Sequence, residues 1–194
     1  MRRVLALFFL LALLSNHSFA QDNTKSAKSL GVSFILNDYA TAERIRSSSI
    51  ERVFRDDDWA KLQEMSPGLA LTYFNGIKSH LDFAATLGAS YVNYSLPNKV
   101  FNSDGLLLEG DASINLKMFS EDYWVSPYVN MGIGVSKYRG YVGAFIPLGL
   151  GIKINFFDEA HLFFNTQYRV PVISETGKHH LMYGLGVAGI IGKK

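Results

Sequence analysis

The segment LLLEGDASINLKM, residues 106–118, alternates apolar and polar side chains along its whole length. One face is apolar or small and consists of Leu106, Leu108, Gly110, Ala112, Ile114, Leu116 and Met118. The opposite face is mainly polar and consists of Leu107, Glu109, Asp111, Ser113, Asn115 and Lys117. Successive side chains of a β-strand point to opposite sides of a sheet, so this period of two predicts a strand between an apolar and a polar environment.

The same alternation recurs along the chain and predicts eight strands. These strands cover residues 29–37, 66–75, 81–91, 106–118, 125–136, 144–155, 162–170 and 180–192. Helical periodicity is weak and is confined to residues 40–64, where Asp57 or Asp58 could cap a turn. The chain is therefore predicted to be an all-β protein.

The predicted connections differ in length between the two ends of the strands. One end carries the loops 38–65, 92–105, 137–142 and 171–179. The other end carries the shorter links 75–78, 119–124 and 157–160. Long loops outside the cell and short turns in the periplasm are typical of outer-membrane barrels. The segment 38–65 is therefore predicted to be a long first extracellular loop.

The first twenty residues have the pattern of a cleaved signal peptide. Arg2 and Arg3 precede an apolar run at 4–14, and Ser18 and Ala20 offer small residues before a cleavage site. The run of 11 apolar residues is too short to cross a bilayer as a helix, which takes about 20 residues. We expect a signal peptide at 1–20, a lead-in at 21–28 and a barrel at 29–192.

Composition excludes several classes of protein. The chain has 194 residues, with 19 Lys and Arg against 17 Asp and Glu, and it has no cysteine. Disulfides, thiolate metal sites and cysteine nucleophiles are therefore excluded. The near-neutral charge gives no electrostatic reason to expect a nucleic-acid partner. No later apolar stretch is long enough for a spanning helix, so a membrane-embedded form would have to be a β-barrel.

The composition of the polar face indicates which side of the predicted sheet lines the interior. It is rich in glycine, alanine, serine and threonine, which fit the narrow interior of an eight-stranded barrel. Its charges balance, as paired buried charges must, and consist of Asp82, Glu109, Asp111, Lys117, Lys153 and Arg169. The sequence therefore predicts an eight-stranded antiparallel up-and-down transmembrane β-barrel that turns its apolar face to lipid.

Aromatic residues lie near the predicted strand ends and suggest two girdles at the membrane interfaces. The short-turn rim would carry Tyr73, Phe74, Phe119, Tyr123, Trp124, Phe156 and Phe157. The long-loop rim would carry Tyr91, Tyr94, Tyr138, Tyr141 and Tyr168.

Three stretches make the chain resemble the N-terminal barrel of OmpA-like outer-membrane proteins. They are PYVNMGIG at 127–134, PLGLGI at 147–152 and LFFNTQYR at 162–169. The resemblance implies an outer-membrane barrel of a Gram-negative bacterium. The chain ends at Lys194, without the periplasmic peptidoglycan-binding domain that such proteins often carry and without a terminal aromatic residue. A natural short form and a truncated relative both remain open.

Motifs for chemistry are weak. The GLGVAG stretch at 184–189 falls inside the last predicted strand, where no helix could follow to bind a phosphate. The run of Asp56, Asp57 and Asp58 lacks the spacing of a calcium loop. His180 with Glu175 and Glu109 is the one catalytic group that could be assembled. We expect no enzymatic activity, no catalytic residue, no metal site and no cofactor.

Two groups of residues remain as functional candidates. The six lumen charges could form a switchable ion-pair gate or a static plug. In the first loop, Arg44, Arg46, Arg52, Arg55 and Trp59 could contact lipopolysaccharide phosphates or an external partner.

The leading interpretation is a monomeric, non-enzymatic outer-membrane barrel with a structural or surface-interaction role. One alternative is a small channel with an ion-pair gate, which would resemble a porin. The other is a soluble periplasmic carrier of the lipocalin type, with its apolar face inside.

Overall fold

The computed structural model describes residues 25–94, 103–119, 123–156, 159–173 and 175–191. The predicted signal peptide 1–20, residues 21–24 of the lead-in and Phe157 lie outside these ranges. The strands are β1 Ser29–Asp38, β2 Ser66–Lys78, β3 Leu81–Val92, β4 Gly105–Lys117, β5 Val125–Tyr138, β6 Tyr141–Phe156, β7 Ala160–Pro171 and β8 His180–Ile190.

The eight strands form a closed antiparallel barrel in chain order, because β8 also pairs with β1. This confirms the predicted fold class. Along β4, Leu107, Glu109 and Asp111 are buried, whereas Leu106 and Leu108 are each 44% exposed. The predicted alternation is therefore correct, with the apolar face outside the barrel and the polar face inside.

The six-residue loop predicted at 137–142 is wrong. Tyr138 of β5 pairs directly with Tyr141 of β6, which leaves a two-residue turn made by Arg139 and Gly140. Both turn residues have positive φ, 47° for Arg139 and 86° for Gly140. Two-residue turns of this kind match the right-handed twist of the strands that they connect. The hairpin therefore extends further than the alternation in the sequence indicated.

Two short helices follow β1, α1 at Tyr39–Ser47 and α2 at Ile50–Arg55, and a 3₁₀ turn follows at Leu62–Glu64. Asp38 caps α1 by accepting a 2.8 Å hydrogen bond from the Thr41 N–H, and Ser49 caps α2. The expected cap at Asp57 or Asp58 is wrong. The helical turn that follows these residues, Leu62–Glu64, is instead preceded by Lys61, whose backbone N–H donates to Glu64 Oε2 at 2.7 Å. Within the described residues no helix is long and apolar enough to span a membrane.

Aromatic rings fill the barrel by lying against inward-facing glycines. A Cβ added at Gly151 would overlap the Tyr128 ring, and one at Gly134 would overlap Phe145. Glycine lets each ring approach the opposite backbone closely, which is how a narrow barrel accommodates large side chains.

Only some of the aromatic residues predicted for the girdles are exposed on the outside of the barrel. Tyr91, Tyr123, Trp124 and Phe156 lie exposed on the outer wall. Phe74, Tyr94 and Tyr138 are instead buried inside the barrel, which corrects their assignment to the girdles. The reason is the period of two: for Phe74 and Tyr138, the position along the strand turns the side chain inward although the residue lies at a strand end.

Candidate functional site

The six predicted lumen charges form two clusters. The short-turn cluster consists of Asp82, Lys117 and Lys153, joined by Ser26. Asp82 is fully buried, and its two oxygens lie 3.1 Å from Lys117 Nζ and 3.0 Å from Lys153 Nζ. Because one carboxylate lies between two ammonium groups, Asp82 holds strands β3, β4 and β6 together at the short-turn rim.

Ser26 of the lead-in completes this cluster and was missed by sequence reasoning. Its hydroxyl donates to Asp82 Oδ1 at 2.7 Å and accepts from Lys117 Nζ at 2.5 Å. Its backbone lies against Gly76, where an added Cβ would approach Ser26 N at 2.5 Å. The lead-in therefore enters the short-turn mouth of the barrel. No periodicity in residues 21–28 indicated this placement.

The long-loop cluster consists of Arg169, Glu109, Asp111, Gln167 and His180. Arg169 Nη1 donates to Glu109 Oε2 at 2.6 Å, and its Nη2 donates to Asp111 Oδ2 at 3.0 Å. Arg169 Nε also donates to Gln167 Oε1 at 3.3 Å. His180 Nε2 lies 3.5 Å from Glu109 Oε2. Because all three nitrogens of the buried Arg169 guanidinium donate hydrogen bonds, its orientation is fixed.

The clusters lie well apart along the barrel. Lys117 lies six positions beyond Asp111 on β4, which corresponds to about 20 Å of strand. The two inward positions between them on β4 are Ser113 and Asn115, both buried and uncharged. The lumen charges are thus two separate ion-pair groups, one near each rim.

Stacked tyrosines cover the long-loop cluster. Tyr39 of α1 stacks on Tyr94 with ring centroids 4.7 Å apart, and Tyr94 stacks on Tyr138 at 4.3 Å. Tyr39 also lies 4.8 Å from the His180 ring. Burial and the negative charge of Glu109 raise the pKa of Tyr39 well above its usual value. The Tyr39 side chain is therefore uncharged at neutral pH.

A small cavity of about 10 Å³ lies beneath this tyrosine cover. Its walls include Tyr39, Tyr94, Glu109, Arg169 and His180. A space of this size is close to the minimum for one water molecule, so it cannot hold an organic ligand.

The helix α1 is held over the mouth of the barrel by an ion pair. Lys178 Nζ donates to Glu43 Oε2 at 2.8 Å, which joins α1 to the connection between β7 and β8. The hydrogen bond and positive charge of Lys178 hold the pKa of Glu43 below its usual value. The connection between β1 and β2 is therefore attached to the connection between β7 and β8 as well as to its own strands.

The loop residues predicted as contacts are not one group. Arg44 pairs with Asp58 at 3.6 Å and Glu64 at 3.2 Å. Arg52 and Arg55 both pair with Asp56, at 3.9 Å and 3.0 Å.

Two of the predicted loop contacts differ from these three arginines. Trp59 packs edge-on against Phe54, with ring centroids 4.9 Å apart. Arg46 is exposed, and no carboxylate in the described ranges forms an ion pair with it.

The one group that the sequence offered as a catalytic candidate is brought together only in part. His180 and Glu109 are neighbours beneath the tyrosine cover, whereas Glu175 is exposed in the connection before β8. In the part of the chain that the structure describes, no group of three His, Asp or Glu side chains could hold a metal ion.

No protein-family model matches the chain, and no curated protein does. Solved structures with the same architecture do match. The outer membrane protein OprG from Pseudomonas aeruginosa is 10% identical, with a TM-score of 0.60 over 88% of this chain and 99% of that one. The Neisserial surface protein A is 13% identical, with a TM-score of 0.54 over 87% of this chain and 99% of that one.

The attachment invasion locus protein Ail of Yersinia pestis is also similar. It is 13% identical, with a TM-score of 0.50 over 87% of this chain and 99% of that one. At such low identity the likeness shows a common fold, the closed eight-stranded barrel that the OmpA-like resemblance implied.

Proposed function

We propose that the chain is a monomeric, non-enzymatic barrel of a Gram-negative outer membrane, with a closed lumen and a surface loop for interaction. The observation that carries this proposal is the inverted distribution of polarity. Large apolar side chains such as Val32, Leu87 and Ile133 are 57%, 69% and 73% exposed, whereas the six lumen charges are buried in the interior. An apolar outer belt around a polar interior is stable in lipid and unfavourable in water. It argues against a soluble carrier.

The lumen charges support a static plug. Arg169 forms ion pairs with Glu109 and Asp111 at once, and Asp82 forms ion pairs with two lysines. Opening a path between such groups would leave buried charges unpaired, which is strongly unfavourable. The tyrosine cover and the lead-in close the two mouths.

The first extracellular loop supports a role in surface interaction. Ile50 and Phe54 are 56% and 65% exposed on α2, next to the exposed arginines 52 and 55. Exposed apolar groups beside cations are suited to contact with an external protein. The closed barrel has no free strand edge, which supports a monomer.

Export through a signal peptide at 1–20 is part of the proposal. The periplasmic mouth would then receive the lead-in, because Ser26 lies at the short-turn rim. The sealed position of His180 and Glu109 beneath the tyrosines supports a non-enzymatic role.

The test begins with membrane fractions analysed by SDS electrophoresis before and after boiling. We expect a signal-cleaved protein that needs detergent for extraction and changes mobility when boiled. A soluble periplasmic protein with no mobility change would overturn the proposal. Planar-bilayer recordings of the purified barrel should show no openings. Unit openings that change in Glu109→Ala or Arg169→Ala would instead favour the gated channel.

A further inference from the structure

We propose that Arg46, together with His179 and Tyr168, binds the phosphate of an anionic lipid in the outer leaflet, such as lipid A. This inference rests on the proposed membrane location. It assigns the lipid contact to one side of the barrel and to one arginine of the first loop.

The helix α1 places Arg46 close to the barrel wall. Glu43 of α1 is fixed to Lys178 by their 2.8 Å ion pair, and Arg46 follows three residues later on the same helix. Side chains three apart on a helix share one face, so Arg46 projects on the side where α1 meets the connection to β8. His179 directly follows Lys178 in that connection.

The wall beneath Arg46 is the lipid-facing side of β7. Gln167 and Arg169 are each 2% exposed and point into the lumen, so Tyr168 between them points outward. The His179 ring lies 5.7 Å from the Tyr168 ring. Burial and then the positive charge of Arg46 lower the pKa of His179, which agrees with the position of Arg46 on the side of α1 that meets this connection.

Arg46 also differs from the other arginines of the loop in its charge balance. Arg44, Arg52 and Arg55 are neutralised by Asp58, Glu64 and Asp56. Glu43, the acid nearest to Arg46 on α1, is already hydrogen-bonded to Lys178.

An exposed guanidinium above an outward tyrosine, at the rim of an apolar wall, is suited to a lipid phosphate. Arginine binds phosphate through two parallel hydrogen bonds, and tyrosine is enriched at the level of lipid headgroups. The His179 ring adds a hydrogen-bond donor beside the guanidinium, because a neutral imidazole carries one N–H.

The experiment compares Arg46→Gln with the matched control Arg52→Gln, an exposed arginine of the same loop. Each protein is purified in detergent, and each must retain the change of mobility on boiling. Native mass spectrometry then measures binding of diphosphorylated lipid A. We expect wild type and Arg52→Gln to bind equally, and Arg46→Gln to bind roughly five-fold more weakly, as for loss of one cation near an anionic lipid.

Two further arms distinguish the source of the phosphate. Dephosphorylated lipid A should bind wild type as weakly as diphosphorylated lipid A binds Arg46→Gln, and inorganic phosphate should not compete. Equal binding by all three proteins would overturn the lipid site while leaving the membrane barrel intact. Full competition by inorganic phosphate would overturn the lipid assignment. Loss of the mobility change in wild type would instead contradict the proposed function itself.

Discussion

Arg169 donates across the lumen to Glu109, with Nη1 2.6 Å from Oε2, although β7 and β4 are not neighbours in the barrel wall. Its second amino group donates to Asp111, and its guanidinium carbon lies 4.9 Å from the centroid of the Phe145 ring. One side chain of β7 thus donates a hydrogen bond to each of two carboxylates of β4 across the lumen. The interior is held together by such contacts in addition to the hydrogen bonds of the wall.

Replacing Arg169 should strongly destabilise the barrel. In Arg169→Met, two buried carboxylates lose their cation, which typically costs about 3–5 kcal/mol. The measurement is the free energy of unfolding by urea in detergent micelles. Adding Glu109→Gln and Asp111→Asn to the same variant should recover much of the loss, because no unpaired charge remains. A single variant as stable as wild type would contradict the proposed plug.

A glycine that lies against an aromatic ring should tolerate an added methyl group less well than a glycine beside open space. We expect Gly151→Ala to cost about 1–3 kcal/mol, because its Cβ overlaps the Tyr128 ring and overpacking has this typical cost. Gly189→Ala is the matched control, since nothing lies within 4 Å of its added Cβ. Urea unfolding of both variants gives the comparison. An equal loss of unfolding free energy in both variants would show that overlap with the Tyr128 ring does not cause the loss in Gly151→Ala.

Acid should release α1 from the barrel. The pKa of Glu43 is lowered by Lys178, so this ion pair stabilises docking above the usual glutamate pKa of 4.5 and loses that effect as the pH falls through the lowered pKa. Because the native chain has no cysteine, spin labels at Ser47→Cys and Glu175→Cys can report the distance.

The expected label distance is constant from neutral pH to about pH 5 and increases only well below the usual glutamate pKa. In Lys178→Gln the increase should be present at neutral pH as well. A pH-independent distance in wild type together with an unchanged distance in Lys178→Gln would show that the ion pair does not hold α1.

Asp82→Asn should loosen the lead-in. The carboxylate is the shared acceptor of Ser26, Lys117 and Lys153, and an amide cannot neutralise two ammonium groups. A spin label at Lys25→Cys, which is an exposed position, should become more mobile in this variant. Asp58→Asn removes an exposed acid from the first loop and should leave the label unchanged. Equal mobility in both variants would contradict the anchoring of Ser26.

The sequence predicted the strands of the barrel well, and it predicted fewer of the side-chain contacts inside the barrel. Alternation located every strand and put the lumen charges on the inner face, because a strand's period of two is a local property. The turn at Arg139 and Gly140 was missed because alternation continues with little contrast through Tyr138 and Tyr141. The helices were indicated only weakly, since Asp38 caps α1 from the end of a strand.

Local periodicity therefore determined the number of strands and which side chains share a face, and the composition of the polar face indicated that this face lines a closed lumen. The tertiary structure alone decided that the lumen charges divide into two clusters, that Ser26 enters one of them and that Tyr39 covers the other. It also separated Arg46 from the three arginines with internal partners. The physical reason is that alternation fixes only the side of the wall that a residue faces, whereas the register of strands distant in sequence fixes which residues meet across the lumen.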